Sequence, residues 1–332
     1  MTKSLVTGGS GFIGRHLVEA LSAHGDSVRI FDQAIPAASA GSAEFVQGSI
    51  LDRASLIAAL KGVNCVYHLA GIAHLWCRQV GDFDSVNRVG TETLLSAAAE
   101  TGVARVVHCS TEAVLLPPQR SAEPIDETVS LQLSDMAGPY TRSKFAAEQA
   151  ALTAARSGQP VVVVNPTLPI GSGDYNLTPP TAMLARLLGG QLSVSMDCVL
   201  NLADVRDMAK GFIRAAEHGR VGERYILGGT NMSMRDLHAL LQRLSGKRPA
   251  RFWIPSLPAL AAGAACEWVA NTVTHKMPAA TIEGVQLALR SRPIDTSKAR
   301  NELGTSVRPI EQSLAESVEW IAAKAKIASR AN

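Results

Sequence analysis

The chain has 332 residues, 46% of them hydrophobic and 18% charged, with a formal net charge of +3. Those proportions lie near the averages of soluble globular proteins, and the length suits one large α/β domain or one with a smaller appendage. So small a positive charge, without a basic run of five or more residues, argues against a nucleic-acid surface.

The N-terminus enters its first strand at once, at residues 4–7, with no charged start, apolar stretch and small-residue cleavage site before it. A cytoplasmic protein is the expectation. Further apolar runs predict strands at 28–31, 44–47, 65–69, 105–110 and 161–165. Most are apolar on both faces, as parallel strands covered on both sides should be. Between them the spacing predicts helices. In 12–24, Ile13, Leu17, Leu21 and His24 share a stripe that Gly25 ends. Asp52 is placed to cap a second helix, and 87–101 and 140–157 are long and Ala-rich. Alternation of this kind reads as a Rossmann doubly wound parallel sheet.

After residue 166 the rhythm changes. Gly171-Ser172-Gly173-Asp174 and Pro179-Pro180 mark loops, then helices follow at 181–188 and 205–218 and a strand at 225–227. The last hundred residues read as mostly helical. The expected division is a dinucleotide-binding domain at 1–168 and a smaller substrate region at 169–332, partly interleaved with the sheet. The apolar run 257–270 includes Glu267 and falls short of the roughly 20 residues needed to span a membrane, which leaves only peripheral membrane contact open. The five cysteines are scattered and never recur at ligand spacing with histidine, so buried free thiols and no metal are expected.

The sequence Thr7-Gly8-Gly9-Ser10-Gly11-Phe12-Ile13-Gly14 lies between the first strand and the first helix. Gly8 permits the tight turn, Gly11 lets the backbone approach a pyrophosphate, and Gly14 allows close helix–strand packing. The helix N-terminus then offers free N–H groups and a positive dipole end. Asp32 ends the second strand, where a carboxylate accepts hydrogen bonds from the ribose hydroxyls and repels a 2′-phosphate. NAD is therefore expected over NADP, with Arg15 as the one nearby cation that could rescue a phosphate.

Tyr140 and Lys144 stand four residues apart on a predicted helix, which stacks them on one face. A cation beside a phenol favours the phenolate, so Tyr140 could exchange a proton with a carbonyl or alcohol.

Together these motifs resemble the extended short-chain dehydrogenase/reductases of the NAD-dependent epimerase/dehydratase type, which include nucleotide-sugar epimerases, dihydroflavonol reductases and 3β-hydroxysteroid dehydrogenases. The likeness runs through His68-Leu69-Ala70-Gly71, Asn87-Arg88-Val89-Gly90-Thr91, Ser110-Thr111, Tyr140 with Lys144, and Asn165-Pro166. Segments 133–140 and 164–171 are similar to bacterial proteins labelled hopanoid-associated sugar epimerases. The resemblance implies dinucleotide contacts at Phe12, Ile13, Ile50, Leu69, Ala70, Gly71, Pro166 and Thr167. It implies a substrate-oxygen contact for Thr111, and a supporting place for Asn87 behind Lys144. A helix cap is the plainer reading of Asn87. A homodimer through 87–101 and 140–157 is also implied. The chain departs from the pattern at Gly48-Ser49, where relatives often have Gly-Asp, and at Asn165, where they usually have Arg.

Three reactions compete. Dehydratases carry an Asp-Glu pair after the hydroxyl residue, whereas this chain has Glu112-Ala113. Epimerases usually continue with Tyr-Gly, whereas Val114-Leu115-Leu116 is apolar; Arg290 and Arg292 are the candidates to grip a diphosphate. His74, Trp76, Thr111 and Leu115 would line an apolar pocket for a small-molecule substrate. An NAD-dependent alcohol/ketone oxidoreductase is therefore the leading expectation, a nucleotide-sugar epimerase the alternative, and a non-catalytic NAD-binding protein the lesser one.

Overall fold

The computed structural model describes residues 2–36, 41–119, 121–190, 194–246 and 252–330. Seven strands form the main sheet: β1 (Lys3–Thr7), β2 (Ser27–Asp32), β3 (Glu44–Gln47), β4 (Cys65–His68), β5 (Arg105–Cys109), β6 (Val161–Pro166) and β10 (Arg224–Leu227). All pair in parallel, in the order β10-β6-β5-β4-β1-β2-β3. The order reverses between β1 and β4. That switch opens a crevice beyond their carboxyl ends, where open α/β sheets bind ligands.

Strand residues alternate between two cores because successive side chains point to opposite faces. Val6, Ile30 and Val162 pack with Leu17 and Leu21 of α1 (Phe12–His24) and Phe212 of α7 (Val205–His218). Leu5, Phe31 and Val163 face the other way. There they meet Leu56 of α2 (Arg53–Leu60), Leu94 of α4 (Gly90–Glu100) and Ala151 of α5 (Pro139–Arg156). Both faces are buried, which explains the continuous apolar runs in the sequence.

The helix expected from residue 87 starts earlier. A short α3 (Gly81–Phe83) runs through a π-helical stretch (Asp84–Val89) into α4. Asn87 lies inside the widened turn. Local widening of this sort is common where a side chain must be re-aimed at a functional site.

Five further strands were not legible as strands. β7 (Leu168–Ile170), β9 (Val199–Asp204) and β11 (Thr230–Ser233) make a three-stranded sheet, and β8 (Val194–Ser195) pairs with β12 (Phe252–Trp253). Each is short and pairs with a distant segment, so no local period announces it. A third core joins Ile170 and Leu202 to Leu187 of α6 (Pro179–Leu188), Leu237 of α8 (Met234–Ser245) and Leu314 of α11 (Ile310–Arg330). Helices α9 (Ser256–Val269) and α10 (Ile282–Arg290) form a cap beside it. Among the described residues no helix is long and apolar enough to cross a membrane.

Candidate active site

The glycine turn is shaped by contacts that exclude a side chain. Gly8 has φ +72°, and a Cβ there would lie 2.6 Å from the Ala70 nitrogen. A Cβ on Gly14 would run into the Gly8 carbonyl oxygen. Helix α1 starts at Gly11 with no side-chain cap and no acidic residue in its first turn, so its N-terminal N–H groups face the crevice bare. Asp32 stands beside the turn: Oδ2 accepts from the Ser10 N–H and Oδ1 from the Ala34 N–H, both at 3.0 Å. A bare helix terminus with a carboxylate at the end of β2 fits the pyrophosphate and ribose of an adenine dinucleotide. Phe12 and Ile50 are buried, and Ile13 is half-buried. Arg15 is turned elsewhere. Its Nη1 donates to the Gly173 carbonyl at 3.1 Å and its guanidinium lies over Tyr175, so it does not sit beside Asp32.

Behind the crevice runs a buried polar chain. The Ala70 N–H and His68 both meet Thr7 Oγ1, at 3.3 and 2.8 Å. His68 Nε2 meets Thr91 Oγ1 at 3.0 Å, and that hydroxyl donates to the Asn87 carbonyl at 2.6 Å. Thr91 spends its proton on Asn87, so His68 must donate through Nε2 and accept through Nδ1. Burial pushes His68 down to about 3, so it is neutral.

Asn87 itself caps no helix. Its Oδ1 accepts from the Ile72 N–H at 2.8 Å, while Nδ2 donates to the Ile72 carbonyl at 3.2 Å and to Ser143 Oγ at 2.9 Å. Ser143 in turn donates to the Tyr140 carbonyl at 2.8 Å. One amide thus ties the loop after β4, including Gly71, to the helix that carries Tyr140 and Lys144.

Tyr140 is buried, its ring edge-on to Phe83 at 6.2 Å, with Ala113, Ile72, Leu75 and Leu287 around it. Burial raises its phenol well above the ordinary value, and the neighbouring Thr111 hydroxyl opposes that rise. Lys144 donates to the Cys109 carbonyl at 2.6 Å, and burial lowers its ammonium. Thr111 accepts from the Ala113 N–H at 3.3 Å and donates to Glu112 Oε2 at 3.2 Å. Burial pushes the Glu112 carboxyl up to about 7.

Asn165, the departure from the usual arginine, has a clear place. Its Nδ2 donates to the Thr111 carbonyl at 3.1 Å and to Glu148 Oε2 at 2.7 Å, while Glu148 Oε1 accepts from Arg224 at 3.2 Å. Pro166 and Thr167 follow at the end of β6, both buried, with the Thr167 N–H on the Leu227 carbonyl at 3.1 Å.

On the substrate side the picture is mixed. His74 is half-buried with its imidazole lowered by burial, and Trp76 Nε1 donates to Asn271 Oδ1 at 2.9 Å, joining the loop after β4 to the cap. Leu115 is a correction: it is wholly buried with Val114, Leu116, Ile125 and Phe145. It exposes no surface, the 3-10 turn Glu112–Leu115 setting it in the core. Arg290 and Arg292 are turned onto main-chain carbonyls, those of Asp135 for the first and of Gln119 and Glu123 for the second. Sequence reasoning missed Glu283. Its carboxylate, buried in α10, accepts from the N–H groups of Tyr140 and Thr141. No local spacing could have pointed to it.

Residues 4–228 match the family described as NAD dependent epimerase/dehydratase. The chain belongs to that family. Over 95% of its length it is 32% identical to 93% of a Synechocystis sp. protein provisionally named dihydroflavonol 4-reductase. It is also 32% identical to a Stigmatella aurantiaca protein named 4-hydroxy-2-methyl-3-oxo-4-farnesyl-3,4-dihydroquinoline-1-oxide ketoreductase, over 93% of both chains. Among solved structures, that of gox2253 superposes with a TM-score of 0.84 at 30% identity, covering 98% of this chain and 99% of that one. The family member described here is an NAD(P)-dependent oxidoreductase of the extended short-chain dehydrogenase/reductase type.

Proposed function

We propose that this family member transfers a hydride between NAD and a secondary alcohol or ketone of a fairly apolar substrate, with Tyr140 exchanging the proton. The nicotinamide, when bound, supplies or accepts the hydride. Tyr140 gives its phenolic proton to the carbonyl oxygen on reduction and takes one from the hydroxyl on oxidation. Burial alone would hold that proton too tightly at neutral pH; the Thr111 hydroxyl works against it, and Lys144 follows one helical turn on. Thr111 orients the substrate oxygen, and Asn165 holds the Thr111 backbone in place. Gly8, Gly11 and Gly14 receive the pyrophosphate, and the Asp32 carboxylate favours NAD over NADP.

The observation that carries this reading is the chemistry around Tyr140. Phe83, Ala113, Ile72, Leu75 and Leu287 form an apolar cluster with it, beside the polar Thr111 and Glu112. Arg290 and Arg292, which a nucleotide-sugar reading would aim at a diphosphate, are engaged with carbonyls. The reductase names of the two relatives lend further support.

The test is absorbance at 340 nm with purified protein, NADH and a panel of apolar ketones beside UDP-sugars. Net NADH loss with an apolar ketone is the expected result, and Tyr140→Phe should lower it by about 10²-fold or more while leaving NADH binding intact. No net change with any ketone, together with an altered UDP-sugar by chromatography, would transfer the reading to an epimerase.

We also infer a cytoplasmic homodimer built on α4 and α5. Ala97, Ala98, Ala147 and Ala151 face the sheet, while Ala99 is exposed and Ala146 and Ala150 are half-buried or at its margin. Light scattering that finds a monomer at micromolar concentration would refute it.

A further inference from the structure

Helix α5 begins without a cap of its own. Its N-cap residue is Gly138, which has no side chain, and its first turn holds no acidic residue. Orphan N–H groups at such a terminus call for an acceptor, and the dipole end calls for negative charge. Both come from a part of the chain far off in sequence. Glu283, in the first turn of α10, accepts from the Tyr140 N–H at 3.1 Å through Oε2. Its Oε1 accepts from the Thr141 N–H at 2.7 Å and from the Thr141 hydroxyl at 2.8 Å. Thr141 Oγ1 meanwhile accepts from the Gly138 N–H at 3.0 Å. A Cβ on Gly138 would lie 2.9 Å from the Glu283 Cβ and still nearer its carboxylate, so only glycine leaves room for the carboxylate to enter.

Helix α10 does not need this carboxylate for itself. Thr281 caps it, accepting from the Gly284 N–H at 2.9 Å, and Glu267 of α9 accepts from the Ile282 N–H at 2.9 Å. One turn beyond Glu283, Leu287 packs against the cluster of Phe83, Ala113 and Tyr140. The cap therefore reaches the start of α5 with one buried carboxylate and one apolar side chain, at the residue proposed to carry the proton. A buried carboxylate is tolerated only where its bonds are complete, which makes this contact demanding in geometry.

We propose that Glu283 is a positioning residue for Tyr140, seating the C-terminal cap on the N-terminus of α5 so that substrate enclosure and placement of the phenol are one event. The inference rests on the reading of Tyr140 as acid and base. Thr111, Glu112 and Cys109 also face the phenol, Lys144 reaches the Cys109 carbonyl, and Glu267 and Arg290 face Glu283. Glu112 and Cys109 raise the Tyr140 proton affinity, and the Glu283 carboxylate adds to that rise.

The experiment compares Glu283→Gln, Thr141→Val and Tyr140→Phe with the full-length parent in ketone reduction across pH. NADH affinity and thermal midpoints are read alongside. Glu283→Gln keeps the volume and removes the charge. Its NADH affinity should be unchanged, its kcat about tenfold or more lower, and the ionisation in its kcat profile moved to lower pH. Loss of fold stability alone would not move that ionisation. Should Glu283→Gln fail to fold, Thr141→Val decides, since it removes the hydroxyl bond to Glu283 together with the one from the Gly138 N–H: a several-fold fall in kcat at unchanged NADH affinity supports the proposal and an unchanged kcat overturns it. Parent kcat and an unmoved profile in folded Glu283→Gln also overturn it. Tyr140→Phe separates the two readings: normal turnover there defeats the acid/base role itself, whereas an inactive Tyr140→Phe beside a normal Glu283→Gln defeats only the role of Glu283.

Discussion

Asn87 and Ser143 meet side chain to side chain, Nδ2 to Oγ at 2.9 Å, across the gap between the π-helical turn and α5. Through that contact the loop after β4, which borders the dinucleotide crevice, is tied to the turn of α5 that bears Tyr140. Asn87 also takes the Ile72 N–H and gives to the Ile72 carbonyl, so a single buried amide holds three partners.

Replacing Asn87 by alanine should therefore cost more than the loss of an ordinary helix cap. Leaving buried partners unmatched costs about 2–4 kcal/mol in total, against about 1 kcal/mol for a cap. Thermal unfolding should show a midpoint lower by roughly 5–10 °C. A fall of under about 2 °C would mean that water replaces the amide at little cost.

Gly8→Ala places a methyl group against the Ala70 nitrogen at a backbone angle of φ +72°. Left-handed backbone costs a non-glycine residue about 1–2 kcal/mol before any clash is counted. The turn must shift away from β4, so titration with NADH should show binding weakened at least tenfold. Unchanged affinity would show that the pyrophosphate does not rest on this turn.

Asp32→Ala should weaken NAD and narrow the preference over NADP. The carboxylate ends β2 and is held by the Ser10 and Ala34 N–H groups beside the glycine turn. Kinetics with both cofactors check this. An unchanged ratio would mean that another residue reads the ribose; Arg15, turned toward Gly173, is not placed to do so.

The His108 and His68 rings lie 5.4 Å apart, tilted by 39°, both buried and both held neutral, His68 at about 3 and His108 well below its ordinary value, chiefly by burial. The unfolded chain takes up protons below about pH 6.5 that these rings refuse, so stability falls as pH drops from there toward 3. Each ring contributes up to about 1.4 kcal/mol per pH unit. Neither His108 nitrogen has a partner among the described residues. His108→Leu should be as stable as the parent at pH 7, or more so, and lose stability less steeply in acid. Urea melts at pH 4 and pH 7 with parallel losses in both proteins would overturn this.

Features that lie within a turn or two of one another were legible before folding. The glycines at 8, 11 and 14, the carboxylate ending β2, and Tyr140 one turn before Lys144 follow from local period and spacing, and they sufficed to place the sheet and the crevice. The apolar strands showed themselves for the same reason, being buried on both faces. Asn87 was visible as a residue but not as a bridge, since only the π-helical turn aims it inward. Leu115 was assigned to the crevice because an apolar residue after β5 suits a lining position or a core position equally well. Glu283 reaches residues 142 and 143 positions away, and a carboxylate on an amphipathic helix looks the same whether it meets water or the bare end of another helix. Folding alone distinguishes those cases, because it decides which helix terminus arrives without an acceptor and which distant carboxylate is buried against it.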